Sequence, residues 1–237
     1  TLIGTTDREY QGNPAEVKIS DEEIDYLLAI SNAHFRQQLQ RSDILHTYAG
    51  VRPLCDDESD EPSAITRDYT LALAANAGEA PLLSVFGGKL TTYRKLAEAA
   101  LAQLAPFFPG MRGSWTASAP LPGGEQMTSV QALADSLCQT YSWLPESLAR
   151  RWSTCYGSRV ERLLADVRHL SDLGEHLGGG LYAREVDYLR QEEWAQSAED
   201  ILWRRSKLGL FLTPTQQGQV AAYLQQHPHS PQDAHAA

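Results

Sequence analysis

The hydrophobic positions of this chain change rhythm near its middle. Over roughly the first hundred residues, short strand-like runs alternate with helical spacing. Residues 1–6 read as a strand ending at a Gly/Thr/Asp turn, and Gln11-Gly12-Asn13-Pro14 reads as a loop. Ser20 and Glu23 form a capping box. The helix it opens is predicted to run to about Gln40, burying Ile24, Leu27, Leu28, Ile30, Ala33 and Phe35. Residues 43–51 read as a strand, as do residues 67–74, where Tyr69, Leu71 and Leu73 alternate to one face. A hairpin-like turn at Asn76-Ala77-Gly78-Glu79 leads into Leu82-Leu83-Ser84-Val85-Phe86, an apolar run long enough for a buried strand. Gly87-Gly88 then allows a sharp bend, and Thr91 and Thr92 can cap a helix predicted over 93–104.

Residues 109–126 hold Pro109, Gly110, Gly113, Pro120, Pro122, Gly123 and Gly124, the composition of a linker. Beyond it no segment reads as a strong strand. Helices are predicted over 128–141, 145–156, 159–169, 182–195, 198–207 and 213–226, with Pro145 and Pro214 in first turns. Gly178-Gly179-Gly180 interrupts this series. Trp143, Trp152, Trp194, Leu202, Trp203 and Leu210 read as core, and Arg204, Arg205 and Lys207 suit a helix C-terminus. The expected plan is α+β: a mixed α/β half (1–108), a linker (109–126), an all-helical domain (127–227) and a disordered tail (228–237).

Composition narrows the function classes. A net charge of −10 with pI near 5.1 argues against a nucleic-acid surface, which needs Lys and Arg in excess. The three cysteines (Cys55, Cys138, Cys155) form no CxxC pair, so neither a disulfide framework nor a zinc site is indicated, and no metal is expected. A reducing compartment fits this usage. No apolar run approaches the ~20 residues that span a bilayer. The acidic run Asp56-Asp57-Glu58-Ser59-Asp60-Glu61 reads as a solvated loop. His34, placed mid-helix, and His46, placed on a strand, read as packed or surface histidines. The chain begins at Thr1 with a strand-like segment, so it is expected to be a piece of a longer protein, with a processed or tag-cleaved complete protein as the alternative.

The chemistry-bearing stretch is Leu82 through Lys95. A strand, a glycine turn and a helix start would aim unpaired N–H groups and a partial positive charge at whatever lies above the turn. Lys89 adds a full charge there, so the expected guest is an electron-rich oxygen. The spacing is neither that of a Walker A loop nor Gly-x-Gly-x-x-Gly. Arg52 follows a predicted strand and is restricted by Pro53. Its guanidinium matches a carboxylate or phosphate bidentately. Were the two strand ends neighbours, Arg52 and Lys89 would converge on a dianion; on spacing alone, pairing of each with one of the many acids stands as the simpler reading. No Ser/His/Asp pattern supports nucleophilic catalysis, and no catalytic residue is assigned.

Several segments together resemble one family. Tyr48-Ala49-Gly50-Val51-Arg52-Pro53-Leu54, Ala64-Ile65-Thr66-Arg67-Asp68-Tyr69 and Leu82 through Lys95 resemble the aerobic, FAD-dependent glycerol-3-phosphate dehydrogenases of the D-amino-acid-oxidase-like flavoprotein superfamily. Ile3-Gly4-Thr5-Thr6-Asp7 matches upstream, and Leu121-Pro122-Gly123-Gly124 and Ala198 through Arg205 match the family's C-terminal helical domain. The resemblance covers nearly the whole chain, in the family's order. It implies oxidation of glycerol 3-phosphate to dihydroxyacetone phosphate at FAD, with electrons passed to membrane quinone. It implies that Arg52 and Lys89 line the substrate pocket and that Gly87, Gly88, Lys89, Leu90 and Thr91 lie at the flavin ring. Residues 1–108 are then part of a flavin and substrate domain that lacks the family's N-terminal dinucleotide fingerprint. The chain alone is expected to be colourless and inactive. The full-length enzyme is expected to be bacterial, cytoplasmic and peripheral on the membrane, and a candidate homodimer. Two rivals stand beside this reading: a non-catalytic helical interaction module, and an amine oxidase of the same superfamily.

Overall fold

A computed structural model describes residues 1–51 and 69–228. Arg52, Cys55, the acidic run 56–61, the Ala64–Asp68 motif and the tail from 229 lie outside the described residues. The chain divides into two compact units, Thr1–Ala119 and Pro120–Ala237.

The first unit begins without regular structure. Residues 1–6 and residues 44–51, beyond the short 3-10 turn Arg41–Asp43, do not form the strands that alternation predicts. A strand exists only as a ladder with a partner, and neither described sheet includes these segments. Helix α1 (Asp21–His34) opens with the expected capping box: the Glu23 N–H donates to Ser20 Oγ, and the Ser20 N–H donates to Glu23 Oε2. It stops six residues early, making His34 its last residue rather than a mid-helix one. Gln38 Nε2 donates to the carbonyls of Asn32 and Phe35, and the Asn32 amide clasps both backbone groups of Leu39. These side chains satisfy end groups that another turn of helix would have satisfied, and the chain reverses. Arg41 then returns to Asp21 and Asp25 at 2.5 and 2.7 Å. Ile24, Leu27 and Leu28 are half-buried, whereas Ile30, Ala33 and Phe35 are exposed.

Strands β1 (Tyr69–Ala74) and β2 (Leu82–Gly87) pair antiparallel, Tyr69 opposite Gly87 and Ala74 opposite Leu82. The turn between them closes through the Glu79 N–H to the Asn76 carbonyl, braced by Asn76 Nδ2 on Glu79. A 3-10 turn (Leu90–Thr92) leads into α2 (Tyr93–Leu104).

The second unit holds a true core. Helices α3 (Val130–Thr140), α4 (Glu146–Tyr156), the single turn α5 (Val160–Leu163), α6 (Ala183–Glu192) and α7 (Pro214–Gln226) surround Trp152, Leu163, Leu173, Leu177, Leu181, Val186, Leu189, Ile201 and Val220, all essentially inaccessible. Residues Asp200–Arg205 form a π-helical segment. A small hairpin of β3 (His176–Gly178) and β4 (Leu181–Tyr182) turns through the glycine triplet. The helix predicted over 159–169 shrinks to one turn, because the Arg184 guanidinium from α6 takes the carbonyls of Leu163 and Ala165 at 3.0 and 2.9 Å. Trp152 is core as expected and Trp143 and Trp203 pack at its margin. Trp194, at φ +52°, is 82% exposed, and Leu210 is also exposed, contrary to expectation.

Candidate functional site: the Gly-Gly-Lys turn

Five of the six predicted site residues are consecutive at the junction between β2 and α2. Gly87 (φ +73°) and Gly88 (φ +108°) turn the chain out of the strand in a backbone region that other residues avoid. A side chain on Gly88 would also meet the tip of the Leu96 side chain, Cδ1, at 2.9 Å. Lys89 caps the 3-10 turn: its N–H donates to Thr92 Oγ1, and the Thr92 hydroxyl donates back to the Lys89 carbonyl. The expected threonine cap therefore acts one turn earlier than α2, whose own N-cap, Thr92, makes no side-chain hydrogen bond to the helix. Lys89, Leu90 and Thr91 are exposed. The sixth residue, Arg52, lies outside the described residues.

Sequence reading missed the buttress of α2. The Glu98 carboxylate accepts the hydroxyls of Ser114 and Thr116 at 2.5 Å and ion-pairs with Arg94 and Lys95 at 3.0 Å. The hydroxyls of Ser114 and Thr116, then Lys95, hold Glu98 down at about 2. The helix that carries the turn is thus fixed to the segment that follows it. The Glu98–Lys95 spacing was visible; the long-range hydroxyls were not.

In the second unit Glu185 is fully buried. Arg151 grips it with two nitrogens at 2.6 Å each, Tyr156 donates at 2.6 Å, and Arg151 Nη2 also donates to the Gly180 carbonyl at 2.9 Å. Burial, and then the charge of Glu185, push the Tyr156 hydroxyl far up. Burial opposes the charge of Arg151, but Glu185 outweighs it and the Arg151 pKa rises. Every partner in this cluster belongs to the fold, so it reads as a structural bracket between α4, α6 and the glycine hairpin. Among the described residues no group of three or more His, Cys, Asp or Glu side chains could hold a metal.

A strand end, a double-glycine turn, an exposed cation and a helix start lie together here, and such a grouping favours an electron-rich oxygen. Residues 1–94 match the family of FAD-dependent oxidoreductases, and residues 114–227 match the C-terminal domain of alpha-glycerophosphate oxidase. Residues 1–94 are thus those of the FAD-dependent oxidoreductase family. The chain is 70% identical, over its whole length, to a glycerol-3-phosphate dehydrogenase of Pseudomonas aeruginosa, covering 46% of that protein. It is 53% identical to the aerobic glycerol-3-phosphate dehydrogenase of Escherichia coli, over 94% of this chain and 45% of the relative. It is 47% identical to a D-erythritol 1-phosphate dehydrogenase of Brucella abortus, over 90% of this chain and 42% of the relative. The chain thus spans about half the length of the curated relatives it matches.

Proposed function

We propose that this chain forms part of a flavoenzyme that oxidises sn-glycerol 3-phosphate to dihydroxyacetone phosphate and delivers the electrons to quinone. Identity of 70% across the whole chain to a glycerol-3-phosphate dehydrogenase carries this reading. The residues at the turn fit FAD: Gly87 and Gly88 keep side chains away from the space above the backbone, Lys89 is exposed, and the helical run from Leu90 to Leu104 starts there. FAD, when bound, accepts the hydride equivalent. The protein's part is positive potential and orientation. Lys89 and the helix start favour negative charge on the group beside them. Arg52 and Lys89 recognise the charged end of the substrate.

The Brucella relative supports a second substrate of the same class, D-erythritol 1-phosphate, whose phosphate would use the same two cations. Both substrates explain a cationic site better than an amine does. Quinone as acceptor, peripheral attachment to the cytoplasmic membrane and a homodimer complete the proposal for the whole enzyme. No described helix is long and apolar enough to cross a membrane.

Steady-state kinetics of the full-length enzyme test the assignment. Removing one charged partner of a desolvated phosphate costs about 2–5 kcal/mol. At ~1.4 kcal/mol per tenfold, Arg52→Ala and Lys89→Ala should each lower kcat/KM for glycerol 3-phosphate, per bound flavin, more than tenfold, with flavin content measured for each. Arg52→Lys should be impaired too, because lysine lacks the bidentate fork. Glycerol, without the phosphate, should be affected less. Normal efficiency in both alanine variants would make these residues structural and remove the pocket assignment.

A further inference from the structure

The glycine turn takes its position from one helix. The 3-10 turn Leu90–Thr92 runs straight into α2 at Tyr93, and the Thr92 N–H donates to the Lys89 carbonyl at 3.0 Å. Lys89 therefore moves with the helix start. Leu96 of α2 fills the space beside Gly88: its Cδ1 lies 2.9 Å from where a Cβ would stand, with Tyr69 Cβ of β1 at 3.7 Å from the same point. The turn is held between helix and strand, so a shift of α2 is passed on to it.

What fixes α2 is polar. Among the described residues the helix buries no side chain. Its reach to distant chain is through Glu98, whose Oε1 accepts the hydroxyls of Ser114 and Thr116, each at 2.5 Å. The Glu98 side chain is only 15% exposed. Glu98 also pairs with Arg94 and Lys95 in the first turn, where cations oppose the helix dipole. A glutamate on the C-terminal side of its cation is the less favourable order on a helix. Helix stability alone does not select this arrangement. Ser114 and Thr116 open the stretch that matches the C-terminal domain, and α2 begins where the oxidoreductase match ends, so Glu98 ties one to the other.

We propose that Glu98 is a positioning residue: by clamping α2 to Ser114 and Thr116 it sets where the Gly87–Thr91 turn stands, and with it how firmly FAD is retained. The FAD clause rests on the flavoenzyme reading above; the placing of the turn does not. Glu98 lies roughly 9 Å along the helix from Thr92 and acts through the helix.

Amide hydrogen exchange of the full-length enzyme, without and with FAD, reads the turn directly. Glu98→Ala should quicken exchange over residues 88–96 by about tenfold. The double variant Ser114→Ala/Thr116→Val should do the same from the other side of the clamp. Glu98→Gln keeps an oxygen that can accept both hydroxyls and should restore most of the protection. Lys95→Gln removes only an exposed ion pair and should change little. Residues 146–156, in the second unit, should exchange at their usual rate in every variant. FAD release, followed by flavin fluorescence, should quicken in Glu98→Ala and in the double variant and be restored in Glu98→Gln. Unchanged exchange at the turn in Glu98→Ala would overturn the proposal. So would faster exchange that includes residues 146–156, which would make the clamp a matter of general stability. A glutamine as damaging as alanine would place the effect in the charge, and a loosened turn with unchanged FAD release would leave the turn without that role; either result overturns the proposal as well. A full-length protein that holds no FAD, or holds it without oxidising glycerol 3-phosphate, would count against the proposed function, while exchange at the turn would still judge the clamp.

Discussion

Single residues carry most weight where a charge is buried. Glu185 is inaccessible, and its two oxygens are fully engaged by Arg151 and Tyr156. Removing one member of such a pair strands the other, at a cost of about 3–5 kcal/mol. Urea unfolding of Glu185→Ala should show a loss of that size, and Arg151→Met/Glu185→Leu together should lose much less, since neither charge is then stranded. Equal losses would mean that the bracket acts through its hydrogen bonds to Tyr156 and Gly180 instead. Glu98 gives the first unit a pH dependence. Its carboxyl is held at about 2 in the fold against an ordinary value of 4.5. A depressed acid stabilises the fold above 4.5 and loses that contribution as pH falls toward 2. The melting temperature should therefore drop over pH 4.5 to 2, and Glu98→Gln should flatten that part of the profile.

At the scale of elements, caps and glycines set where helices begin and end. Pro214 stands in the first turn of α7 as sequence predicts, a Thr213/Gln216 capping box that the sequence reading did not name closes the same end, and Lys207 Nζ serves the carbonyls of Trp203 and Arg204 at the end of the π-helical segment. The junction after α4 is less forgiving. Gly157 has φ +55°, and an added Cβ would collide with the Gly123 carbonyl, which accepts the Ser158 N–H at 2.8 Å. Strain in the left-handed region and displacement of that strap make Gly157→Ala destabilising by more than about 1 kcal/mol. Gly218, inside α7 with open space around it, behaves oppositely: Gly218→Ala should stabilise by about 0.5–1 kcal/mol. Thermal melts of the two variants should move in opposite directions.

For the whole molecule, the distribution of core decides independence. Among the described residues the second unit holds all the buried apolar side chains, and the strap Gly123–Glu125 ties onto Ser158 through Glu125 Oε2 at 3.1 Å. We propose that this unit folds by itself, and that its folding boundary lies at Pro120 rather than at Met127. Residues 120–228 should show cooperative thermal unfolding with helical circular dichroism. Starting at Met127 removes the strap and should lower the melting temperature. Non-cooperative melting of both would deny the unit autonomy.

Local information determined much of this chain. The Ser20 and Thr213 capping boxes, the hairpin turn at Asn76–Glu79, the helix over 93–104 and the helical character of the second unit all follow from contacts among residues close in sequence. The five consecutive residues of the glycine turn were legible for the same reason: a strand, two glycines and a helix start lie within one short segment. Tertiary structure decided what depends on distant partners. Alternation at 1–6 and 43–51 does not make a strand without a ladder. Helix α1 ends where Asn32 reaches Leu39, and α5 ends where Arg184 arrives from another helix. Apolar residues do not guarantee burial either: Trp194 and Phe86 are exposed, because burial requires a second surface to pack against, and that surface is not written in the residues beside them.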